Sequence, residues 1–285
     1  MAKKDGPVTV CVINLKGGVG KSTISALLAR RAFSQYNLDV LAVDLDPQAN
    51  LSQALMHDSY QVFLDKRLPS IVELFKGYQP PIGEKTSTEE LSTNKVVQTI
   101  YQYDDHSLQL LPSRFDFSDN LIGAVRPDEH VLARFLSKNF QEKDFVIIDC
   151  APTESILTRA AYHASGKVLV PVKPEYFATI GYPLLQESLT SFRVQNRGHT
   201  IEVCGVVLNN AFYDGGNDGG PEKVRALKEI RDESRKNGWP IYKNQIPHSR
   251  GFPKLMRGDY SYQGNATKFQ RFAAEFFASV GLVET

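Results

Sequence analysis

The chain has 285 residues, 42% of them apolar and 23% charged, a composition that excludes wholesale disorder and suits a soluble globular protein. Its 33 Lys+Arg against 32 Asp+Glu leave a formal net charge of +1, so a polyanionic partner must be met by a local basic patch. No apolar run approaches the roughly 18–20 residues of a membrane span, and the basic start, Met1 to Pro7, enters a β-like stretch without a small-residue cleavage site.

In chain order, Val8–Ile13 is a short β-branched run that ends in the glycine-rich stretch 14–20, and Lys21–Ala32 follows with Ile24, Leu27, Leu28 and Ala32 at helical spacing. Val40–Val43 is the next apolar run and leads into Asp44-Leu45-Asp46-Pro47. Further strands are expected at Phe145–Ile148, ending at Asp149, at Val168–Val172 and at Val203–Leu208, which ends at Asn209. Helical patterns fall at His130–Phe140, Phe177–Val194, Glu222–Lys236 and Thr267–Val280. Such alternation, with strands apolar on both faces, predicts an α/β fold: a mainly parallel sheet covered by helices on both faces. Residues 78–107 are polar, contain Pro80-Pro81 and hold no sustained period, so they are expected to be an insertion-like loop. Residues 214–221, Asp-Gly-Gly-Asn-Asp-Gly-Gly-Pro, read as a flexible turn. Neither loop divides the strand series, and a single domain over 1–285 is the expectation. Cys11, Cys150 and Cys204 lie far apart inside apolar runs and are expected to be reduced core thiols, which places the chain in the cytoplasm.

The stretch Lys16-Gly17-Gly18-Val19-Gly20-Lys21-Ser22-Thr23 lies between a predicted strand and a predicted helix. That context turns a glycine motif into a phosphate cradle: glycines let backbone N–H groups close around an anion, and the helix N-terminus adds partial positive charge. Lys21 is placed to reach β- and γ-phosphates, and the Ser22 hydroxyl to complete Mg²⁺ coordination. The general P-loop pattern wants glycine where Leu15 stands, and the extra Lys16 takes a place beside the loop. A dinucleotide-binding loop fails at its third glycine, where Thr23 stands.

Hydrolysis also needs groups that hold the metal and orient a water. Asp44, Asp46 and Asp149 all follow strands, and the carboxyl ends of parallel strands share one edge of a sheet. Asp149 suits the metal side, through a water. Asp46, fixed in a turn by Pro47, suits orientation of the attacking water, with Asp44 close to the metal.

The glycine loop resembles the deviant Walker A motif of the ParA/MinD family of ATPases. Residues 44–50, Asp-Leu-Asp-Pro-Gln-Ala-Asn, are similar to that family's second motif, and 145–152 to its Walker B. Residues 108–120 and 171–181 are similar to stretches of the ParA branch. The resemblance spans about residues 8–250 and implies a P-loop NTPase architecture with ATP and Mg²⁺ as cofactors. It further implies a homodimer that sandwiches two ATPs, Lys16 reaching the phosphates held by the other subunit. Asn209 and Pro247 fall where the family contacts adenine. Ala49 departs from the usual glycine, Cys150-Ala151 from the commoner Thr-Pro or Ser-Pro, and residues 246–252 from the usual wording.

For the ParA branch the resemblance implies non-specific DNA binding over the nucleoid, hydrolysis stimulated by a ParB-like or cargo-adaptor partner, and positioning of plasmid, chromosome or protein cargo. Arg193, Arg197, Lys228, Arg231 and Arg235 are the basic residues placed for phosphate contact, the last three sharing a helix face. Two alternatives stay open. A MinD-like membrane-associated ATPase would need a basic amphipathic C-terminal helix, whereas Thr267–Val280 is aromatic-rich with little positive charge and is expected to be a core helix without a stable membrane anchor. A nucleotide-gated scaffold with little turnover is the other. The iron–sulfur reductases with a related loop need cysteines that bridge two subunits, and the three here lie in strand runs.

Overall fold

The computed structural model describes residues 6–75, 93–115, 128–175, 181–209, 220–247 and 263–284. Its strands are β1 (Val8–Val12), β2 (Val40–Asp44), β3 (Gln98–Tyr103), β4 (His106–Leu111), β5 (Phe145–Asp149), β6 (Lys167–Val172) and β7 (Glu202–Leu208). They form one sheet in the order β3-β4-β2-β5-β1-β6-β7. Every pairing is parallel except the antiparallel edge pair β3–β4. β2 and β5 are fully buried, which is why they read as unbroken apolar runs with no alternation.

The helices are α1 (Lys21–Tyr36), α2 (Asn50–Met56), α3 (Ser59–Asp65), α4 (Val72–Phe75), α5 (Thr93–Val96), α6 (Val131–Asn139), α7 (Ile156–Ala164), α8 (Gly181–Gln195), α9 (Gly220–Lys236) and α10 (Gln263–Ser279). Alternation along β1 separates two cores. Val10 and Val12 face Leu28 of α1, Leu55 of α2 and the Phe272, Phe276 and Phe277 rings of α10. Cys11 and Ile13 face the side built from Leu136 of α6, Tyr162 of α7, Phe192 of α8 and Ile230 of α9. Helices therefore cover both faces, as the sequence pattern predicts.

This layout carries the site. β1 and β2 each hydrogen-bond to β5, with Val12 and Asp44 both in register with Asp149. The segments that leave β1, β2 and β5 consequently emerge side by side at the carboxyl edge, although β5 ends more than 100 positions after β2 in sequence.

The structure corrects the expectation for residues 78–107. Positions 98–107 are β3, a two-residue turn and the start of β4, with Asp104 in the left-handed region at φ 42°. β3 is an exposed edge strand with no buried face, so its Thr, Ile and Tyr residues give β propensity without the apolar alternation that marks a half-buried strand. Residues 78–92 of that expected loop lie outside the described residues. Of the expected Gly-rich loop, 214–219 lie outside them too, while Gly220 and Pro221 belong to α9, Pro tolerated in a first helical turn. Residues 177–180, expected to begin α8, also lie outside the described residues.

The cysteine expectation holds for Cys11 and Cys150, which are buried thiols, and is corrected for Cys204, which is only partly buried. Its Sγ points at the Val168 carbonyl across the β6–β7 pairing.

Candidate active site

The turn after β1 is held open by side-chain hydrogen bonds rather than by its own backbone. Asn14 donates through Nδ2 to the Pro171 carbonyl at 2.8 Å, and its Oδ1 accepts from the Lys16 amide at 2.9 Å. Gly18 and Gly20 then take left-handed φ values of 72° and 92°. A Cβ on Gly20 would also lie 2.2 Å from Asn209 Nδ2, so only glycine fits there on both counts. Asn209, just beyond β7, closes the loop from the far side by donating through Nδ2 to the Val19 carbonyl at 2.8 Å. Gly17 and Gly18 are exposed, Val19 is buried, and Lys16, Ser22 and Thr23 are partly buried.

α1 starts directly from this loop with no side-chain cap and no acidic residue in its first turn. Its first amides are therefore not capped by a side chain and sit at the positive end of the helix, an anion site by construction. Lys21, only 6% exposed, donates weakly to the Lys16 carbonyl at 3.4 Å. Burial pulls its pKa down, and Asp149 and Asp46 oppose that shift. The ammonium thus sits between a buried carboxylate pair and the open helix end.

Three carboxylates converge here, each with its own task. Asp46 is 5% exposed, accepts the Gln48 amide on Oδ1 at 2.9 Å and lines the cleft. Asp149 is fully buried. Its Oδ1 accepts from the Ser25 hydroxyl at 3.2 Å, while Oδ2 has no hydrogen-bond partner. Burial raises the Asp149 pKa well above the carboxylate range and the neighbouring Asp44 adds to the rise, whereas the Ser22 hydroxyl and Lys21 oppose it.

Asp44 departs from its expected place beside the metal. Its Oδ1 accepts the Asp46 amide at 3.1 Å, and its Oδ2 accepts both the amide and the hydroxyl of Ser52 at 2.8 and 2.7 Å. Both oxygens are engaged inside the turn, so Asp44 shapes the path to Asp46 instead of facing the cleft. Burial pushes its carboxyl up to about 7. Ala49 follows in the left-handed region at φ 53°. A glycine would occupy that conformation without strain, which gives the family's usual residue its physical reason.

Together these groups line a cleft of about 410 Å³ formed by Gly17, Gly18, Gly20, Lys21, Ser22, Thr23, Asp46, Gln48, Asn50 and Pro152. Gln48, Asn50 and Pro152 belong to segments already marked by motif, but their place on the wall was not assigned from sequence. Asn14, Ser25 and Ser52 act from behind it, and single polar residues of this kind carry no spacing by which a sequence could identify them.

A family model described as an AAA domain matches residues 8–201, the span that contains every wall of this cleft. The chromosome-partitioning ATPase Soj of Treponema pallidum is 30% identical over 269 residues, covering 87% of this chain and 95% of that protein. The chain belongs to the ParA/MinD family of ATPases.

Solved structures carry the same fold. A Cyanothece McdA–ATP complex superposes with a TM-score of 0.75 at 18% identity, covering 99% of each chain. A Mycobacterium smegmatis cobyrinic acid a,c-diamide synthase bound to an ATP analogue and magnesium gives 0.68 at 23% identity, covering 95% of each chain. One architecture hosts both proteins, so the sheet alone does not decide what a ParA/MinD-type chain acts upon.

The remaining expected residues are spread over other surfaces. Pro247 is buried just after Ile246, whose amide donates to the Leu208 carbonyl, so it lies near the end of β7 that also supplies Asn209. Lys228, Arg231 and Arg235 are exposed on α9, with Arg235 3.5 Å from Asp232. Arg197 is exposed as well. Arg193 is different: its guanidinium donates twice to the Ile201 carbonyl, at 2.8 and 3.1 Å, and ties the end of α8 to the start of β7. Those two bonds engage Nε and Nη2 within the chain.

Proposed function

We propose that this protein is a ParA-type ATPase. In this reading it binds ATP and Mg²⁺, pairs with a second copy of itself when ATP-bound, binds DNA without sequence preference and positions DNA or protein cargo as a partner protein stimulates hydrolysis. One observation carries the reading: a buried lysine, Lys21, lies between an uncapped helix start and two buried carboxylates, one of which keeps an unpartnered oxygen.

The donor set fits the two cofactors. Residues 17–23 supply the amides, ammonium and hydroxyls that a triphosphate requires. Asp149 Oδ2 is a buried acceptor with no donor, which a metal-bound water would satisfy, and the Ser22 hydroxyl supplies a second oxygen near it. Bound Mg²⁺ would offset phosphate charge and polarise the terminal phosphoryl group. Asp46 then orients the attacking water from the cleft wall, and its hydrogen bond to Gln48 keeps the carboxylate aimed. Lys16 supplies a second cation to the phosphates held by the other copy, a charge-assisted contact that would make ATP the ligand that favours the dimer.

The exposed cations of α9 support the DNA reading over the membrane one. That helix holds six basic and four acidic residues, enough for a salt-sensitive surface and too mixed for a polybasic anchor. α10, the segment a membrane-bound relative would use, has Phe269, Phe272, Phe276 and Phe277 buried against the sheet. Among the described residues no helix is long and apolar enough to cross a membrane.

The test is co-sedimentation with duplex DNA of unrelated sequence and with anionic liposomes, at two salt concentrations, with ATP and with ADP. Retention on DNA that requires ATP and weakens with salt is expected. Retention on liposomes alone overturns the proposal in favour of a membrane-bound ATPase, and ATP binding without measurable turnover would reduce it to a nucleotide-gated scaffold.

A further inference from the structure

At the opposite end of the sheet from the cleft, the turn before α6 meets the last turn of α7. α7 leaves the carboxyl edge after β5 and ends beside the start of β6, so His163 in its last turn lies at the amino edge. There Glu129, His130 and His163 each present one donor atom, and the three atoms lie within 4.8 Å of one another.

The geometry points to a site for a divalent transition-metal ion of the zinc type, held by Glu129, His130 and His163. Two imidazoles and one carboxylate are a donor set that zinc accepts, with bonds of about 2.0–2.2 Å. In a tetrahedral site with such bonds the ligand atoms stand about 3.4 Å apart. His163 Nε2 and Glu129 Oε1 are separated by 3.4 Å. His130 has to close in by a side-chain adjustment, and it is the exposed member with room to do so. Its ring already lies 3.9 Å from that of His163.

The burial of the third donor is a second observation. The His163 side chain is only 5% exposed, and its Nε2 faces Glu129 Oε1 at 3.4 Å without forming a well-aligned hydrogen bond. A buried polar nitrogen without a partner costs stability unless something satisfies it. The surroundings support ligation too. Arg159 grips Glu129 through Nε on Oε2 and reaches Oε1 at 3.4 Å through Nη2, and its own Nη2 is steadied by Gln195 at 2.8 Å. An outer partner that orients a ligating carboxylate is a regular feature of metal sites. The Phe192 ring lies 4.7 Å from His163 and shields it from water. His199 is nearby but committed, its Nε2 lying 2.9 Å from the Ser165 carbonyl, so the fourth position is left to water or to a ligand from outside the chain. An ion here would clip the start of α6 to the end of α7, remote from the nucleotide cleft.

The experiment uses the untagged full-length protein, stripped with a chelator and free of nucleotide. Co²⁺ binding is followed by its visible absorption, Zn²⁺ by competition, and thermal midpoints are recorded with and without Zn²⁺. One equivalent is expected to bind with a tetrahedral or five-coordinate spectrum. His130→Ala, an exposed change, should weaken binding at least tenfold and abolish the Zn²⁺-induced midpoint shift. Glu129→Gln should weaken it similarly. Asp149→Asn, which alters the cleft, should leave the signal in place. If His130→Ala binds as the unaltered chain does, or if Asp149→Asn removes the signal, the cluster is an ion pair only and the proposal is overturned.

Discussion

Lys16 is paired within its own chain: its Nζ lies 3.8 Å from Oε2 of Glu175, whose other oxygen is held by Lys173. If Lys16 serves the phosphates of a second copy, it has to exchange this carboxylate for them. The pair is partly exposed, so the exchange is cheap, on the order of 0.2–1 kcal/mol.

Glu175→Gln is therefore expected to lower the ATP concentration needed for half-maximal dimerisation by about 1.5- to 5-fold, the same energy expressed as a ratio. Lys16→Ala should retain ATP binding in the monomer and lose the ATP-dependent dimer. Sedimentation velocity with ATP and with ADP reads both, and a Lys16→Ala protein that still dimerises with ATP removes the cross-subunit role.

Lys21 is the only cation in the wall of the cleft among the described residues. Lys21→Ala should reduce ATP affinity by roughly 100-fold or more, since a charge-assisted contact and the balance to Asp149 and Asp46 vanish together. Calorimetric titration checks this. Affinity within a few fold of the original would move phosphate recognition to the backbone amides alone.

Asp46→Ala removes a carboxylate whose backbone is held independently, by Asp44 on its amide and by Ala49 on its carbonyl. The turn should persist, ATP binding should change little, and turnover should fall by about 10²-fold or more, the size of a lost water-orienting group. Single-turnover assays separate the two quantities. Unchanged turnover rules out the water-orienting role.

The carboxylate cluster also sets a pH dependence. Asp44 has a folded pKa raised to about 7 and Asp149 one raised well above its ordinary value, both by burial first. A raised folded pKa means the native state holds more protons than the unfolded chain. The stability from these groups is complete below about pH 4 and is lost as pH rises through about 7. In nucleotide-free, Mg²⁺-free protein, Asp149→Asn should consequently be stabilising near pH 8 and close to neutral near pH 4. Denaturant titrations at both pH values measure the difference. An equal effect at the two pH values would show that burial does not raise the Asp149 pKa in the folded chain.

How much of this was legible in the sequence follows from where each signal is stored. The glycine loop, Lys21, Asp46 and Asp149 sit at strand ends, and a strand buried on both faces announces itself as an apolar run with a sharp polar end. β3 was invisible because an exposed edge strand has nothing to alternate. The task of Asp44 was misplaced for a different reason: its partner, Ser52, lies eight residues on, and a serine in that position has many equivalent uses. Arg193 looked like a surface cation, since a sequence does not reveal that a carbonyl eight residues away lies within reach. The Glu129–His130 pair has no ligand spacing of its own in the sequence, because His163, which gives it meaning, is brought to it only by the packing of α6 on α7.

The aromatic stripe of α10 has a practical outcome for cell biology. With Phe145 of the central strand packed against Phe276 and Phe277, peeling this helix away would wet the middle of the molecule. A charged replacement at Phe272 or Phe276 should thus abolish soluble expression instead of redirecting the protein within the cell. Fluorescent fusions that disturb the last helix would report misfolding as if it were mislocalisation, and imaging is safer with the label placed before β1.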